Sequence, residues 1–234
     1  MTKPLIGIVA KEKDIRFHGW TVNTVSNELR EALVSAGARV IAVLPPQKER
    51  FATPYPEEKQ LTCDEYSDLK SVISLCDGIV LQGGTNVFRF EEAVVSEVLK
   101  THKPFLGICA GLNTMVRAVG GRADLLPTPH EHYHPEMISV HKIFLDPKSF
   151  VAQLVGQTTL CVNSIHQNTV YETGKYQSVG VTPDGLIEVV EMPNERFHIG
   201  VHFHPELDWK TNDISQRLFH GFIQSALNYQ KNKK

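Results

Sequence analysis

From Leu5 to Ile108 the chain alternates short apolar runs with segments of helical periodicity, and this alternation constrains its fold more than any other feature. Leu5 to Ala10 reads as a buried strand. Val25, Leu29, Ala32, Leu33 and Ala36 recur at helical spacing, with Gly37 placed to cap the helix end. Arg39 to Leu44 reads as a second strand, stopped by Pro45 and Pro46, and the Pro-rich run Phe51 to Pro56 as a surface connection. Tyr66, Leu69, Val72 and Ile73 mark a helix, Gly78 to Leu81 a strand, Glu91 to Thr101 a helix and Pro104 to Ile108 a strand. Strands and helices in this order need right-handed crossovers, which build a largely parallel sheet covered on both faces. The expected fold is α/β: a three-layer sandwich with a mostly parallel central sheet. Ligands of such sheets gather at the carboxyl ends of the strands. Gly83-Gly84 and Gly107 to Gly111 both fall there.

The second half changes character. Met137 to Leu145, Thr158 to Val162, Tyr176 to Thr182, Leu186 to Glu191 and His198 to Phe203 are strand-like, with Pro183-Asp184-Gly185 a turn between two of them. These read as antiparallel additions to the sheet, followed by a helix from Asn212 to Tyr229. No segment has the composition of an interdomain linker, so residues 1–234 read as one domain.

A chain of 234 residues buries roughly 70% of its unfolded surface and needs no disulfide or metal staple. Its 24 basic and 26 acidic residues leave a net charge of −2, which argues against a nucleic-acid partner. None of the four cysteines forms a C-x-x-C pair, which argues against a zinc ribbon or a disulfide framework. No run approaches the roughly 18 apolar residues of a membrane span, and Leu5 to Ala10 is too short for a signal-peptide core. The expectation is a soluble, reduced, cytoplasmic protein with no membrane partner.

Chemistry concentrates in two places. Gly107-Ile108-Cys109-Ala110-Gly111 follows an apolar strand and precedes a helical pattern of Leu112, Met115, Val116 and Val119. That is the layout of a nucleophile elbow: a reactive residue on a sharp strand-to-helix turn, with glycines letting backbone and helix approach. The positive end of the helix favours a thiolate at Cys109, and the Ala110 N–H points where an oxyanion would form. Cys63, Cys76 and Cys161 are expected to be small buried hydrophobes. The second place is His198 to Glu206. Strand alternation puts His202 and His204 on one face. A thiol nucleophile needs a base, and the base needs an orienting acceptor. His204 and Glu206, spaced across Pro205, supply both.

GICAG followed by VHFHPE resembles the class I glutamine amidotransferase superfamily, and within it the γ-glutamyl hydrolase branch that includes the γ-glutamyl-γ-aminobutyrate hydrolases. Leu81-Gln82-Gly83-Gly84, His141-Lys142-Ile143 with Pro147-Lys148-Ser149, and Val162-Asn163-Ser164-Ile165-His166 resemble further segments of that family. The resemblance implies Cys109 as nucleophile, His204 as base and Glu206 as its orienting carboxylate. It implies the Gly84 backbone as a second oxyanion donor beside Ala110, and Gly83 and His166 on the substrate side. This chain departs from common family patterns at Ala110, where arginine is frequent, at Thr85 to Arg89, at Gln167 and at His202. The departures leave the triad intact and bear on which amide is cleaved.

The implied activity is cysteine-dependent hydrolysis of γ-glutamyl amides through a thioester, with a small-molecule substrate and no cofactor. Two alternatives stand beside it: a glutaminase subunit passing ammonia to a separate synthase partner, and a catalytically silent binding protein on the same fold. The histidine-rich segment His130 to His141, with Glu131 and Glu136, reads as a polar loop covering the site, and no metal site is assigned to it.

Overall fold

The computed structural model describes residues 2–15, 20–47, 59–85, 88–127, 133, 141–195 and 197–233. Five parallel strands form one half of an 11-stranded sheet, in the order β4 (Arg39–Val43), β1 (Leu5–Val9), β5 (Gly78–Leu81), β6 (Phe105–Ile108) and β13 (His198–Val201). From β13 the sheet continues antiparallel through β12 (Ile187–Glu191), β11 (Gln177–Val181), β8 (His141–Leu145) and β9 (Thr159–Val162). β10 (Asn168–Glu172) pairs with β12 and with β7 (Arg122–Leu125). The parallel half with antiparallel additions is the arrangement expected from the sequence.

Alternation along the central strands divides the apolar side chains between two cores. Ile6, Ile8, Val80, Leu106, Ile108, Ile199 and Val201 face one layer, with Leu29 and Leu33 of α1 (Asn27–Ser35) and Leu218, Phe219 and Phe222 of α6 (Asp213–Asn232). Val9, Ile79, Leu81 and Phe105 face the other, with α2 (Cys63–Leu75), α3 (Arg89–Thr101) and α4 (Ala110–Arg117). Strands buried on both faces read as continuous apolar runs, which is why the short β5 and β6 are fully buried. Gly37 follows α1 with φ +104°. Gly185 has φ +87° and donates to the Thr182 carbonyl at 3.0 Å, closing the turn expected between β11 and β12.

Elements absent from the sequence reading are the hairpin of β2 (Lys11–Ile15) and β3 (Trp20–Thr24), β7, β10 and the short α5 (Phe150–Val155). Two cysteine expectations are corrected. Cys63 opens α2 and is exposed. Cys161 sits on edge strand β9, where Leu160 and Val162 take the inward positions, and it too is exposed. Cys76 is buried as expected, and burial pushes its thiol up to about 11. His130, Glu131, His132, His134 and Glu136, the run 137–140 and the Pro-rich run 51–56 lie outside the described residues. Among the described residues, no helix is long and apolar enough to cross a membrane.

Candidate active site

The turn between β6 and α4 is strained. Cys109 has φ 53° and ψ −110°, a conformation L-residues rarely adopt, and its N–H is held by the Val201 carbonyl at 2.8 Å. The flanking glycines are steric requirements. A Cβ on Gly107 would lie 2.2 Å from Met115 Sδ, and one on Gly111 would lie 2.1 Å from the Leu81 carbonyl oxygen. The helix therefore starts almost on top of the end of β5, with the half-buried thiol at its N-terminus.

His204 meets that thiol. The imidazole stands against the sulfur and the two are coupled electrostatically, and His204 Nδ1 lies 2.7 Å from Glu206 Oε1. With Nδ1 turned to the carboxylate, Nε2 is the ring nitrogen left for sulfur. Glu206 stands at the start of a 3₁₀ turn (Pro205–Leu207) and is 5% exposed. Burial alone would push the Cys109 thiol up, but the His204 hydrogen bond and charge outweigh it. More distant charge on His166 and the Ala110 N–H act the same way, and the thiol titrates below its ordinary range. For His204, burial opposes the charged form. The Glu206 carboxylate and the bond to Cys109 overcome it, and the imidazolium persists well above its ordinary range. Both shifts favour the thiolate at Cys109 and the imidazolium at His204.

Gly83 closes against this pair. A Cβ there would lie 2.7 Å from His204 Cε1 and 3.4 Å from Cys109 Cβ, so its missing side chain makes room for the imidazole. Gly84, next along the chain, is exposed and faces the stem of Lys11. Gln82 before them is buried and ties three segments. Its Nε2 donates to the Val9 carbonyl at 2.8 Å and to the Thr24 carbonyl at 2.9 Å, and its Oε1 accepts from Ser26 N–H at 2.9 Å.

One expectation fails. His202 and His204 are not successive same-face residues of a strand, because β13 ends at Val201. The His204 N–H and carbonyl are held by the side chain of Asn163, not by a neighbouring strand, and the chain turns into Pro205. His202 packs inward, its ring stacked on His166 at 4.5 Å, with Asn113 Oδ1 at 2.9 Å and the Ile187 carbonyl at 3.0 Å. Burial and the neighbouring charge on His166 drive its titration down to about 3.

His166 follows β9 and is buried. Its Nδ1 lies 2.9 Å from the Asn168 carbonyl and its Nε2 3.1 Å from Glu188 Oε1. Burial favours the neutral ring, but Glu188 wins and raises its titration. Asn163 and Glu188 carried no signal of their own in sequence. Asn163 lay within the VNS-x-H stretch, and Glu188 looked like one polar position in an apolar strand.

Residues 89–206 match the peptidase C26 family. A glutamine amidotransferase-like protein of Lactococcus lactis, YvdE, is 28% identical over 195 residues, covering 71% of this chain and 81% of that protein. The γ-glutamyl-γ-aminobutyrate hydrolase PuuD of Escherichia coli K12 is 25% identical over an alignment of 266 positions, covering 100% of this chain and 98% of PuuD. Among solved structures, the glutaminase domain of Trypanosoma brucei CTPS with bound acivicin superposes with a TM-score of 0.67 at 15% identity. It covers 96% of this chain and 94% of that one, a likeness of fold.

Proposed function

Because the chain belongs to the peptidase C26 family, with the fold of the class I glutamine amidotransferases, we propose that it hydrolyses the amide bond of γ-glutamyl compounds with Cys109 as nucleophile. The observation that carries this reading is the convergence of His204, hydrogen-bonded to Glu206, on Cys109, which sits on a strained turn at the carboxyl end of a parallel sheet. The name of PuuD, aligned over the whole chain, supports the γ-glutamyl amide as substrate class.

The Cys109 thiolate attacks the γ-carbonyl carbon. A C–S bond forms and the carbonyl π electrons move onto oxygen, where the backbone N–H groups of Ala110 and Gly84 stabilise the charge. His204 gives its proton to the leaving nitrogen as the C–N bond breaks, so the free amine departs and a γ-glutamyl thioester remains. His204, now neutral, takes a proton from water as it attacks the thioester. The C–S bond breaks, glutamate leaves, and thiolate and imidazolium are restored. Glu206 keeps the ring oriented and its charged form favoured throughout.

The test is a panel of γ-glutamyl amines and glutamine, turned over by the purified chain alone and by Cys109→Ala. Release of glutamate from γ-glutamyl amines, abolished by Cys109→Ala, is the expected result. Glutamine hydrolysis that appears only when a synthase is added would transfer the chain to the ammonia-delivering reading. Absence of turnover, with Cys109 unlabelled by a thiol-reactive glutamine analogue, would leave a silent binding protein.

A further inference from the structure

Beside the triad lies a second group of ligating side chains. His141 opens β8, His166 follows β9 and Glu188 sits on β12. One donor atom from each falls within 4.8 Å of the others. The rings of His141 and His166 meet edge to face, with centroids 6.3 Å apart. We propose that these three residues form a binding site for one divalent cation of the zinc class, held by two imidazole nitrogens and a carboxylate oxygen.

Spacing is the first argument. Two ligands on a tetrahedral zinc with bonds of about 2.0–2.1 Å stand about 3.3 Å apart. His166 Nε2 and Glu188 Oε1 are already 3.1 Å apart. The closing adjustment falls to His141, which is half-buried at the start of its strand.

Orientation is the second. His166 Nδ1 faces the Asn168 carbonyl at 2.9 Å. A carbonyl only accepts, so Nδ1 carries a hydrogen and Nε2 is the atom directed at the site. A backbone carbonyl behind the ring is the support that fixes metal-binding histidines.

Glu188 is the third. Its side chain is buried to 0% exposure, and Oε2 accepts no hydrogen bond among the described residues. A buried carboxylate oxygen without a donor is costly, and a bound cation removes the cost.

The donor set narrows the ion to the divalent transition metals that imidazole binds. Calcium and magnesium take oxygen ligands, and copper(I) takes sulfur. Two histidines and a glutamate with an open position suit zinc. Only His141 comes from the histidine-rich segment; the other two ligands are far from it in sequence. The site does not depend on the hydrolytic reading, since none of the three residues belongs to the series from Cys109 to Glu206.

The test titrates the full chain, stripped with a chelator, first with Co²⁺ and then with Zn²⁺. One Co²⁺ per chain should bind with visible ligand-field absorption, and Zn²⁺ should displace it. His141→Ala and Glu188→Gln should each weaken binding roughly tenfold or more, since even supporting partners of metal ligands are worth that much. His141→Ala, at a half-buried position, keeps the test decisive where Glu188→Gln does not fold. Cys109→Ala should bind Co²⁺ as the parent does while losing all turnover, which separates this site from the proposed reaction. No saturable binding, equal affinity in a folded His141→Ala, or loss of binding with Cys109→Ala would each overturn the proposal.

Discussion

Asn163 grips the backbone of His204 from both sides: its Oδ1 accepts from the His204 N–H at 2.8 Å, and its Nδ2 donates to the His204 carbonyl at 2.8 Å. Past the end of β13 this buried side-chain amide takes the place of a strand partner, and the carbonyl accepts in addition from the Leu207 N–H at 3.2 Å. Asn163→Ala leaves the N–H without its acceptor and the carbonyl with the Leu207 N–H at 3.2 Å, and loosens the base. The expected result is a fall in kcat with KM little changed, and a loss of about 1–3 kcal/mol in urea unfolding. A variant as fast and as stable as the parent would show that His204 needs no such clamp.

The charge on Glu206 should be felt at the sulfur. Glu206 sustains the His204 imidazolium, and that imidazolium holds the thiol below its ordinary range. Glu206→Gln keeps the shape and removes the charge, so His204 loses its proton at lower pH and Cys109 titrates at higher pH. The rate of iodoacetamide alkylation against pH reports the thiolate directly. Its midpoint should move upward in the variant, and turnover near neutrality should fall on the order of 10²-fold or more. An unmoved midpoint would mean that the carboxylate does not reach the thiol through the ring.

What could be read in the sequence follows the range of the interactions. β5 and β6 were legible because strands buried on both faces are apolar throughout, and the elbow was legible because its glycines, nucleophile and helix are contiguous. The β2–β3 hairpin was not, since Lys11-Glu12-Lys13-Asp14 carries charge where an apolar alternation would be sought. Six residues of α5 are too few to display a period. Val201-His202-Phe203-His204 alternates as a strand would, yet β13 ends at Val201 and the His204 backbone is held by Asn163, 41 residues away. Gln82 reaches the Val9 carbonyl across 73 residues and Lys11 reaches Glu91 across 80. Such partners leave no local trace.

Gly111 should tolerate no side chain. Its Cβ would stand 2.1 Å from the Leu81 carbonyl oxygen and 2.8 Å from the carbonyl carbon, both backbone atoms of a central strand. Neither β5 nor the first turn of α4 can yield without disturbing Cys109. Gly111→Ala is expected to cost about 3 kcal/mol, the upper end for overpacking, and to reduce turnover beyond what the folded fraction explains. Denaturant titration alongside active-site labelling separates the two effects. A Gly111→Ala protein of parental stability would contradict the close approach.

Lys11 and Glu91 form a buried pair at 2.6 Å, with Thr114 Oγ1 donating to the same carboxylate at 3.1 Å. They join the base of the hairpin, beside Gly84, to α3 and α4. Removing the cation alone strands a carboxylate that is 0% exposed, and Lys11→Met should cost about 3–5 kcal/mol, whereas Lys11→Met with Glu91→Leu should recover most of it. The pH dependence has a definite sign. Burial already raises the Glu91 carboxyl above its ordinary range despite Lys11, and losing Lys11 raises it further. The folded state then binds a proton that the unfolded state has released, so the stability of Lys11→Met falls as pH rises from the ordinary carboxylate range through the raised one. Below that window both states are protonated and the penalty is smallest. Urea unfolding of the parent, the single and the double variant across acid to neutral pH measures this. A Lys11→Met penalty that grows on acidification would mean that Glu91 is not the group left stranded.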